Sequence, residues 1–572
     1  MYILGIHDGH NCGASLILNG KVLFSICEER LSRNKNEVGY PTESINRILF
    51  LSDIQASELS VVVYASNFMH SEEHLLNVTP WYKVGEADQE KDLEEPSEYK
   101  AIIFNERRKE RIQKVCNHLN LSANIVHFVE HHLAHLAAAY YTRPEDLFKE
   151  KVLGLTCDGA GDGISATVSI CEQNSINRIS SSNRHTSLGK LYSRTTMLMG
   201  MKPWEHEYKL MGMAPYADSE RTEKAADIFR KILTVDEETL EFKNLTSLSM
   251  NYTYEYLRDS FEDIRFDVIS ASIQKFTEEM LLTWVKSAIK KTGIKKIVCG
   301  GGVFMNVKAN MLIADLPEVE AMYIMPSGGD ESLSIGAALE HYYQQKTTSG
   351  YVCGIDNLYL GGVAPDIDDE DNLVNSLDNK TVLVSKPKDI EQKIAKLLAD
   401  SQIVARCRGE MEWGARSRGN RSILGKADNY AVVDKINSMI KVRDFWMPFA
   451  PSILSECSER YFSDMKKIRP FYMTFAFQGK DETFAEMIAS SHPRDHTIRP
   501  QVVTQSINPD YHRMLMHYEK ITGSGVILNT SFNLHGEPIV YSTSDAIRVF
   551  LKSGLPHLAL NKCILSKKQF LS

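Results

Sequence analysis

Short apolar runs separated by glycine turns recur along the chain. Tyr2-Ile3-Leu4-Gly5-Ile6 runs into His7-Asp8-Gly9-His10, and two further apolar runs, 14–18 and 22–26, flank Asn19-Gly20. Asn-Gly between apolar runs predicts a hairpin, because both residues adopt the positive φ that matches strand twist. The same grammar returns at Val152-Leu153-Gly154-Leu155-Thr156-Cys157-Asp158, followed by Gly159-Ala160-Gly161-Asp162-Gly163 and a second run over 166–170. Two such openers predict an internal duplication. Later, Ile297-Val298-Cys299 passes through Gly300-Gly301-Gly302 into a helical pattern, and Met325-Pro326-Ser327-Gly328-Gly329-Asp330 leads into the small-residue helix Ser334-Ile335-Gly336-Ala337-Ala338. Glycine turns entering helices let backbone N–H groups approach an anion. The polar stretch 344–350 marks a domain boundary, and beyond Asp389 a helical pattern at Ile390, Ile394, Leu397 and Leu398 precedes an apolar strand at 403–405. Residues 86–98 are acidic and polar and predict a solvated loop.

One helical pattern carries candidate chemistry. Phe128–Tyr140 holds His131, His132 and His135 at the start of an alanine-rich stretch. His131 and His135, four apart, share a helix face, a spacing that suits a transition metal. Two imidazoles do not close a site, and Asp158 and Asp330, each beside a glycine, are the candidate carboxylates. The alternative is that these histidines are satisfied core or cap residues; a third histidine and two aspartates in glycine turns favour the metal. No histidine pair here has the zinc-protease pattern. A two-His, two-Asp set accommodates Fe(II), Mn(II) or Zn(II).

At 572 residues the chain exceeds one core and predicts two large domains or three ordinary ones. A net charge of -9 with interleaved signs excludes a basic stripe, so nucleic acid and anionic membranes are not expected partners. Ten cysteines without a C-x-x-C pair, no charged-then-apolar leader and no long apolar run predict reduced thiols in a cytoplasmic protein. Arg408, Arg416, Arg418, Arg421, Lys441 and Arg443 concentrate cations in the C-terminal part, and guanidinium forks suit phosphoryl oxygens. The competing reading is a solvated basic face balanced by Glu410 and Glu412.

A strand, an Asp-Gly turn and a hairpin open a ribonuclease H-like half, and with the later glycine turns the N-terminal part resembles the actin-like ATPase superfold. Nearly the whole chain resembles the O-carbamoyltransferases of the NodU/CmcH type. The landmarks are Cys27-Glu28-Glu29-Arg30, His131-His132-Leu133-Ala134-His135, Ser187-Leu188-Gly189-Lys190-Leu191-Tyr192-Ser193, Lys209-Leu210-Met211-Gly212, Gly301-Gly302-Val303-Phe304-Met305-Asn306, Arg416 with Gly419-Asn420-Arg421-Ser422, Pro448-Phe449-Ala450-Pro451 and Asn529-Thr530-Ser531-Phe532-Asn533.

The resemblance implies an α/β protein in two domains. Residues 1–352 form a duplicated, actin-like carbamoyl-transfer domain, and residues 353–572 a YrdC-like domain that makes carbamoyl-adenylate from carbamoyl phosphate and ATP with Mg2+. It implies iron at His131, His135, Asp158 and Asp330. His10 becomes the general base, with Asp8 near it, and Gly301, Gly302, Asn306 and Lys209 bind nucleotide. Arg416, Arg421, Lys441, Arg443, Asn529, Ser531 and Asn533 bind carbamoyl phosphate and ATP. A hydroxyl-bearing small molecule or sugar is the acceptor, and a homodimer is implied. Met447 stands where relatives carry Arg before Pro-Phe-Ala-Pro, and Arg418 adds a cation on the Gly414–Gly419 loop. The competing readings are a catalytically lapsed nucleotide-binding regulator and a small-molecule kinase.

Overall fold

A computed structural model describes residues 1–77, 89, 97–147, 150–346, 354–463 and 468–570. Most of the acidic 86–98 stretch, and the end of the 344–350 stretch, lie outside the described residues. The chain divides into two compact units. The first comprises Met1–Glu28, Glu37–Ile355 and Met465–Ile468, the second Glu29–Asn36, Asp356–Asp464 and Arg469–Ser572. The short excursion 29–36 thus belongs with the C-terminal part.

In the first unit, β1 (Tyr2–His7), β2 (Gly13–Leu18), β3 (Lys21–Cys27), β4 (Leu59–Ala65) and β5 (Val126–Val129) form one sheet in the order β3-β2-β1-β4-β5. The Asn19-Gly20 hairpin joins antiparallel β2 and β3, and β4 and β5 run parallel to β1. A second sheet contains β6 (Val152–Gly161), β7 (Ile164–Glu172) and β8 (Ser175–Asn183). A separate ribbon of β9 (Leu233–Val235) and β10 (Phe242–Asn244) precedes its last two strands, β11 (Lys296–Gly300) and β12 (Ala321–Ile324). Its order is β12-β11-β6-β7-β8, with β6-β7-β8 antiparallel and β11 and β12 parallel to β6. The two sheets therefore repeat one topology, as the paired openers predict.

Helix Leu333–Gln344 packs on β1, β2 and β4, helix His131–Thr142 packs on β6 and β11, and the two helices pack on each other. Small side chains permit this contact: a Cβ on Gly336 would lie 1.8 Å from the Ala134 carbonyl oxygen, so only glycine fits. Each helix starts just beyond the carboxyl end of a parallel strand, where open α/β sheets place ligand sites.

The second unit is built on an eight-stranded mixed sheet. Its strands are β13 (Val382–Ser385), β14 (Val404–Cys407), β15 (Arg421–Lys426), β16 (Ala450–Leu454), β19 (Gln501–Val503), β20 (Val526–Ser531), β21 (His557–Ala559) and β22 (Ile564–Lys567), with β17 (Phe477–Gln478) and β18 (Thr497–Ile498) paired separately. The order is β13-β22-β21-β14-β15-β20-β16-β19. Strand alternation feeds two cores. Val404, Leu424 and Ile527 meet helices Ile390–Ala399 and Pro509–Thr522, whereas Ala405, Ile423 and Leu528 meet Ile436, Val549 and Phe550. A sheet covered on both faces explains why these strands read as continuous apolar runs. No helix among the described residues is long and apolar enough to cross a membrane.

Candidate metal centre and cationic site

The metal cluster assembles from three strand ends. β5 ends at Val129, and helix His131–Thr142 follows with Glu130 at its N-cap, accepting from the His132 and Leu133 N–H groups. Asp162 accepts from the N–H groups of His131, Asn67 and Phe68, so a second carboxylate opposes the positive helix end. β6 pairs regularly with β7 up to Cys157 and resumes at Gly161, and Asp158 lies in the break. Asp330 follows β12 in the glycine turn before helix Leu333–Gln344.

His131, His135, Asp158 and Asp330 each present one ligand atom, all within 4.8 Å of one another. His131 Nε2 lies 3.5 Å from Asp158 Oδ2 and 3.8 Å from Asp330 Oδ1; His135 Nε2 lies 4.0 and 3.4 Å from the same atoms. Ligands about 2.0–2.1 Å from a tetrahedral ion stand about 3.4 Å apart, so the cluster has the size of a first-row metal site. Both Nε2 atoms are buried without a hydrogen-bond partner, a costly state that a metal resolves.

The outer contacts point the same way. Ser332 Oγ donates to the Gly329 carbonyl, so it accepts from His135 Nδ1, 3.3 Å away, which leaves Nε2 with its lone pair. Ser66 Oγ lies 3.0 Å from His131 Nδ1. The Gly302 N–H donates to Asp158 Oδ1 at 2.7 Å, leaving Oδ2 for the cluster. A Cβ on Gly161 would come within 2.0 Å of the His131 ring, so glycine is needed where that ring lies. Although burial opposes charge on both, the carboxylates push His131 up to about 9 and the imidazoles hold Asp158 well below the carboxylate range. The donor set, spacing and orphaned nitrogens fit a divalent transition ion. Ser66→Ala is expected to weaken metal binding by roughly 10–100-fold, read by competition with a chromogenic chelator; unchanged affinity contradicts an orienting role for Ser66.

Other sequence-predicted residues divide into two groups. His132 lies outside the cluster: Nδ1 meets Thr156 Oγ1 at 2.8 Å and Nε2 the Ile164 carbonyl at 2.9 Å, a satisfied core histidine that burial pushes down to about 3. Asp8 binds Arg111 with both oxygens, at 2.7 and 2.8 Å, while that guanidinium also donates to the Ala65 and Ser66 carbonyls. Its carboxylate braces the end of β4 rather than facing His10. His10 is half-buried, its carbonyl 3.0 Å from His7 Nε2 and its ring 6.0 Å from Trp204. The Gly301 N–H donates to the Gly328 carbonyl, so the anion that this glycine turn meets is Asp158, through Gly302. Asn306 caps helix Val307–Ala314 and exchanges amide hydrogen bonds with Gln274. Lys209 is half-buried in helix Glu207–Met213.

In the second unit Lys441 is buried and donates to Ser531 Oγ at 3.0 Å and Asn533 Oδ1 at 2.6 Å. Arg443 donates to Thr530 Oγ1 at 3.0 Å and lies over the Phe449 ring. Between them Val442 has φ +48, and a π-turn, Asn437–Lys441, precedes it. A β-branched residue in the left-handed region and a π-turn are both costly features that concentrate at functional sites. Burial, then Arg443 and Lys35, push Lys441 well below the ordinary lysine range. Arg499 is likewise pushed far down by burial, then by Arg416, Arg443 and Arg418, and its Nε is buried without a partner. The strongest charges on these two residues are all cations, an arrangement that a polyanionic ligand relieves. The sequence reading missed Arg499 and Lys35. Arg499 lies in an unremarkable Ile498-Arg499-Pro500 stretch, and Lys35 reaches this unit only through the 29–36 excursion.

Two predicted members have other duties. Arg421 is buried and donates to the carbonyls of Tyr541, Arg408, Gly409 and Asn420, so it holds loops. Asn529 is buried in a network with Ser452, Gln501 and Ser417.

Comparison with known proteins finds one family in both units. Residues 2–339 match the Carbamoyltransferase N-terminus family and residues 395–567 the Carbamoyltransferase C-terminus family. An uncharacterized protein of Methanocaldococcus jannaschii, MJ1051, is 31% identical over 99% of each chain. Nodulation protein NolNO of Sinorhizobium fredii is 26% identical over 98% of this chain and 79% of its own. The 3'-hydroxymethylcephem-O-carbamoyltransferase of Streptomyces clavuligerus is 25% identical over 59% of this chain and 61% of its own. With family matches in both units and relatives along almost its full length, the chain belongs to the carbamoyltransferase family.

Proposed function

We propose that the protein is an ATP-dependent O-carbamoyltransferase working in two half-reactions, and the carrying observation is the cation group of the second unit, buried Lys441 bonded to Ser531 and Asn533 and half-buried Arg443 bonded to Thr530, with half-buried Arg416 and Arg499. A carbamoyltransferase using carbamoyl phosphate alone handles one phosphoryl group; this many cations suit a triphosphate beside it. Water cleaves carbamoyl phosphate to carbamate and inorganic phosphate. A carbamate oxygen then attacks the α-phosphorus of ATP, forming the P–O bond of carbamoyl-adenylate as pyrophosphate leaves with its Mg2+. Lys441, held by Ser531 and Asn533, and Arg443, held by Thr530, bind phosphoryl oxygens, and Arg499 supplies the guanidinium that Met447 does not. In this reading the second unit is YrdC-like.

Transfer belongs to the first unit. A divalent transition ion on His131, His135, Asp158 and Asp330, iron by family resemblance, supplies a Lewis acid for the carbamoyl carbonyl or phosphoryl oxygen. His10 takes the proton of the acceptor hydroxyl as its oxygen attacks the carbonyl carbon, and the bond to AMP breaks. Asp8 acts through Arg111 by fixing the end of β4, from which Ser66 reaches His131. Ser66 and Ser332 hold the two imidazole rings, and Gly302 fixes Asp158.

The product nucleotide tests this reading. Incubated with ATP, magnesium, carbamoyl phosphate and hydroxyl acceptors, the protein is expected to yield AMP and pyrophosphate with a carbamoyl ester. ADP as the product contradicts the reading and supports a kinase, and tight ATP binding without turnover supports a nucleotide-binding regulator.

A further inference from the structure

One end of the large sheet in the second unit carries a cation that none of these steps uses. β15 and β16 each run antiparallel to β20, β14 runs antiparallel to β15, and β19 runs parallel to β16. The carboxyl ends of β14 and β20 therefore share one end of the sheet with the amino ends of β15, β16 and β19. Thr530 and Ser531, which hold Arg443 and Lys441, are at this end, and Arg499 lies just before β19. Arg418 is here too, in the loop that joins β14 to β15.

That loop is closely held. A Cβ on Gly419, which has φ +105, would lie 2.4 Å from the Tyr511 ring, so only glycine fits. The Arg418 N–H donates to Glu412 Oε1 at 2.7 Å, and its carbonyl accepts from the Tyr359 hydroxyl at 2.8 Å and from Gln501 Nε2 at 3.0 Å. Gln501 opens β19, and the neighbouring Ser417 Oγ donates to Asn529 Oδ1 at 3.4 Å. One side of the guanidinium is fixed as well, with Nη1 donating to the Trp413 and Arg416 carbonyls at 2.9 and 3.1 Å.

The other side has nothing to bind. Arg418 is 2% exposed, and its Nε and Nη2 atoms are buried without a hydrogen-bond partner. Those two nitrogens form the side-on fork that grips a carboxylate or phosphoryl group with parallel hydrogen bonds. Glu412 attracts the charge, yet its Oε1 is taken by the N–H groups of Arg418, Asn420 and Arg421, and its Oε2 is itself buried without a partner, so the two side chains do not bond each other. Burial pushes Arg418 down to about 10, Arg416 acts in the same direction, and Glu412, Tyr359 and Tyr472 act against them, so the group stays protonated at neutral pH. A buried charge with unpartnered donors is costly to the folded protein, and an anion relieves that cost.

We propose that Arg418 grips a phosphoryl group side-on through Nε and Nη2, as a further binding residue of the site formed by Lys441, Arg443 and Arg499. The inference rests on the phosphate-handling reading of this unit and adds a residue to it. A phosphoryl group offers several oxygens, so a guanidinium fork and a lysine can hold it together. Two substrates carry this chemistry, the polyphosphate tail of ATP and carbamoyl phosphate. The competing role is a brace, in which the Nη1 bonds to the Trp413 and Arg416 carbonyls are the whole purpose of the side chain.

Calorimetric titration of the full-length protein with sodium pyrophosphate, inorganic phosphate and carbamoyl phosphate, each alone, separates these roles in wild type, Arg418→Met and Arg418→Lys. Wild type is expected to bind at least one of the three. Arg418→Met should bind that anion at least tenfold more weakly, and Arg418→Lys at least threefold more weakly, because a point charge replaces the fork. Tm of the ligand-free proteins is recorded in parallel. Lysine keeps a donor for the two loop carbonyls, so Arg418→Lys should melt as wild type does while its affinity stays low. A loss confined to pyrophosphate assigns the fork to the ATP tail, and a loss confined to carbamoyl phosphate assigns it to the carbamoyl donor. Wild-type affinity in either variant, a fall in Tm that accompanies the weaker binding of Arg418→Lys, or a wild type that binds none of the three anions overturns the proposal. A wild type that binds them but releases no pyrophosphate from ATP counts against the two-step reading alone, and the titrations still decide the role of Arg418.

Discussion

Asp158→Asn is expected to lower carbamoyl transfer by about 10³-fold while pyrophosphate release continues. Asp158 Oδ2 is 3.5 Å from His131 Nε2 and 4.0 Å from His135 Nε2, and Oδ1 accepts the Gly302 N–H. An asparagine retains the oxygen that Gly302 needs but removes the negative charge that a divalent ion requires. Losing a Lewis acid worth several kcal/mol, at 1.36 kcal/mol per decade, gives the stated magnitude. The measurement pairs carbamoyl transfer and pyrophosphate release with metal content by elemental analysis. A variant that binds no metal yet transfers at the wild-type rate contradicts the role given to the cluster.

Lys441→Met has the second large effect, with opposite signs on two observables. Acceptor-independent pyrophosphate release should fall by roughly 10²-fold or more, because the charge that meets a phosphoryl oxygen is gone. Thermal stability of the ligand-free protein should be unchanged or higher. Lys441 is buried beside Arg443 and Lys35, and methionine fills similar volume without a charge to desolvate. The lost bonds to Ser531 and Asn533 offset part of that gain, for those two side chains also bond each other at 2.7 Å. A stabilising substitution that removes activity marks a residue retained for binding. A clear drop in Tm would instead make Lys441 a structural cation.

Legibility in the sequence followed locality. His131 and His135 could be found because four residues of one helix set their relation, and Asp158 and Asp330 because glycine turns after apolar strands are short-range patterns. The duplicated sheet order was visible in the two openers for the same reason. His132 shows the limit of spacing, since one residue turns it about the helix axis toward Thr156 and the Ile164 carbonyl. Asp8 stands two residues from His10, yet its partner is Arg111, 103 residues away on helix Ser97–Leu119. Arg421 and Asn529 carry family motif positions, and their bonds are to loop carbonyls and neighbouring side chains. Arg499 lacked any local signature: it stands out only through the distant arginines around it.

The most direct test of the two-step account is mass spectrometry of the protein with ATP, magnesium and 13C-labelled carbamoyl phosphate, without acceptor, for wild type and Asp158→Asn in parallel. The account predicts labelled carbamoyl-AMP and pyrophosphate in both, with the adduct persisting in the variant when a hydroxyl acceptor is added. Formation of ADP, or carbamoyl transfer to an acceptor without AMP appearing, would contradict it.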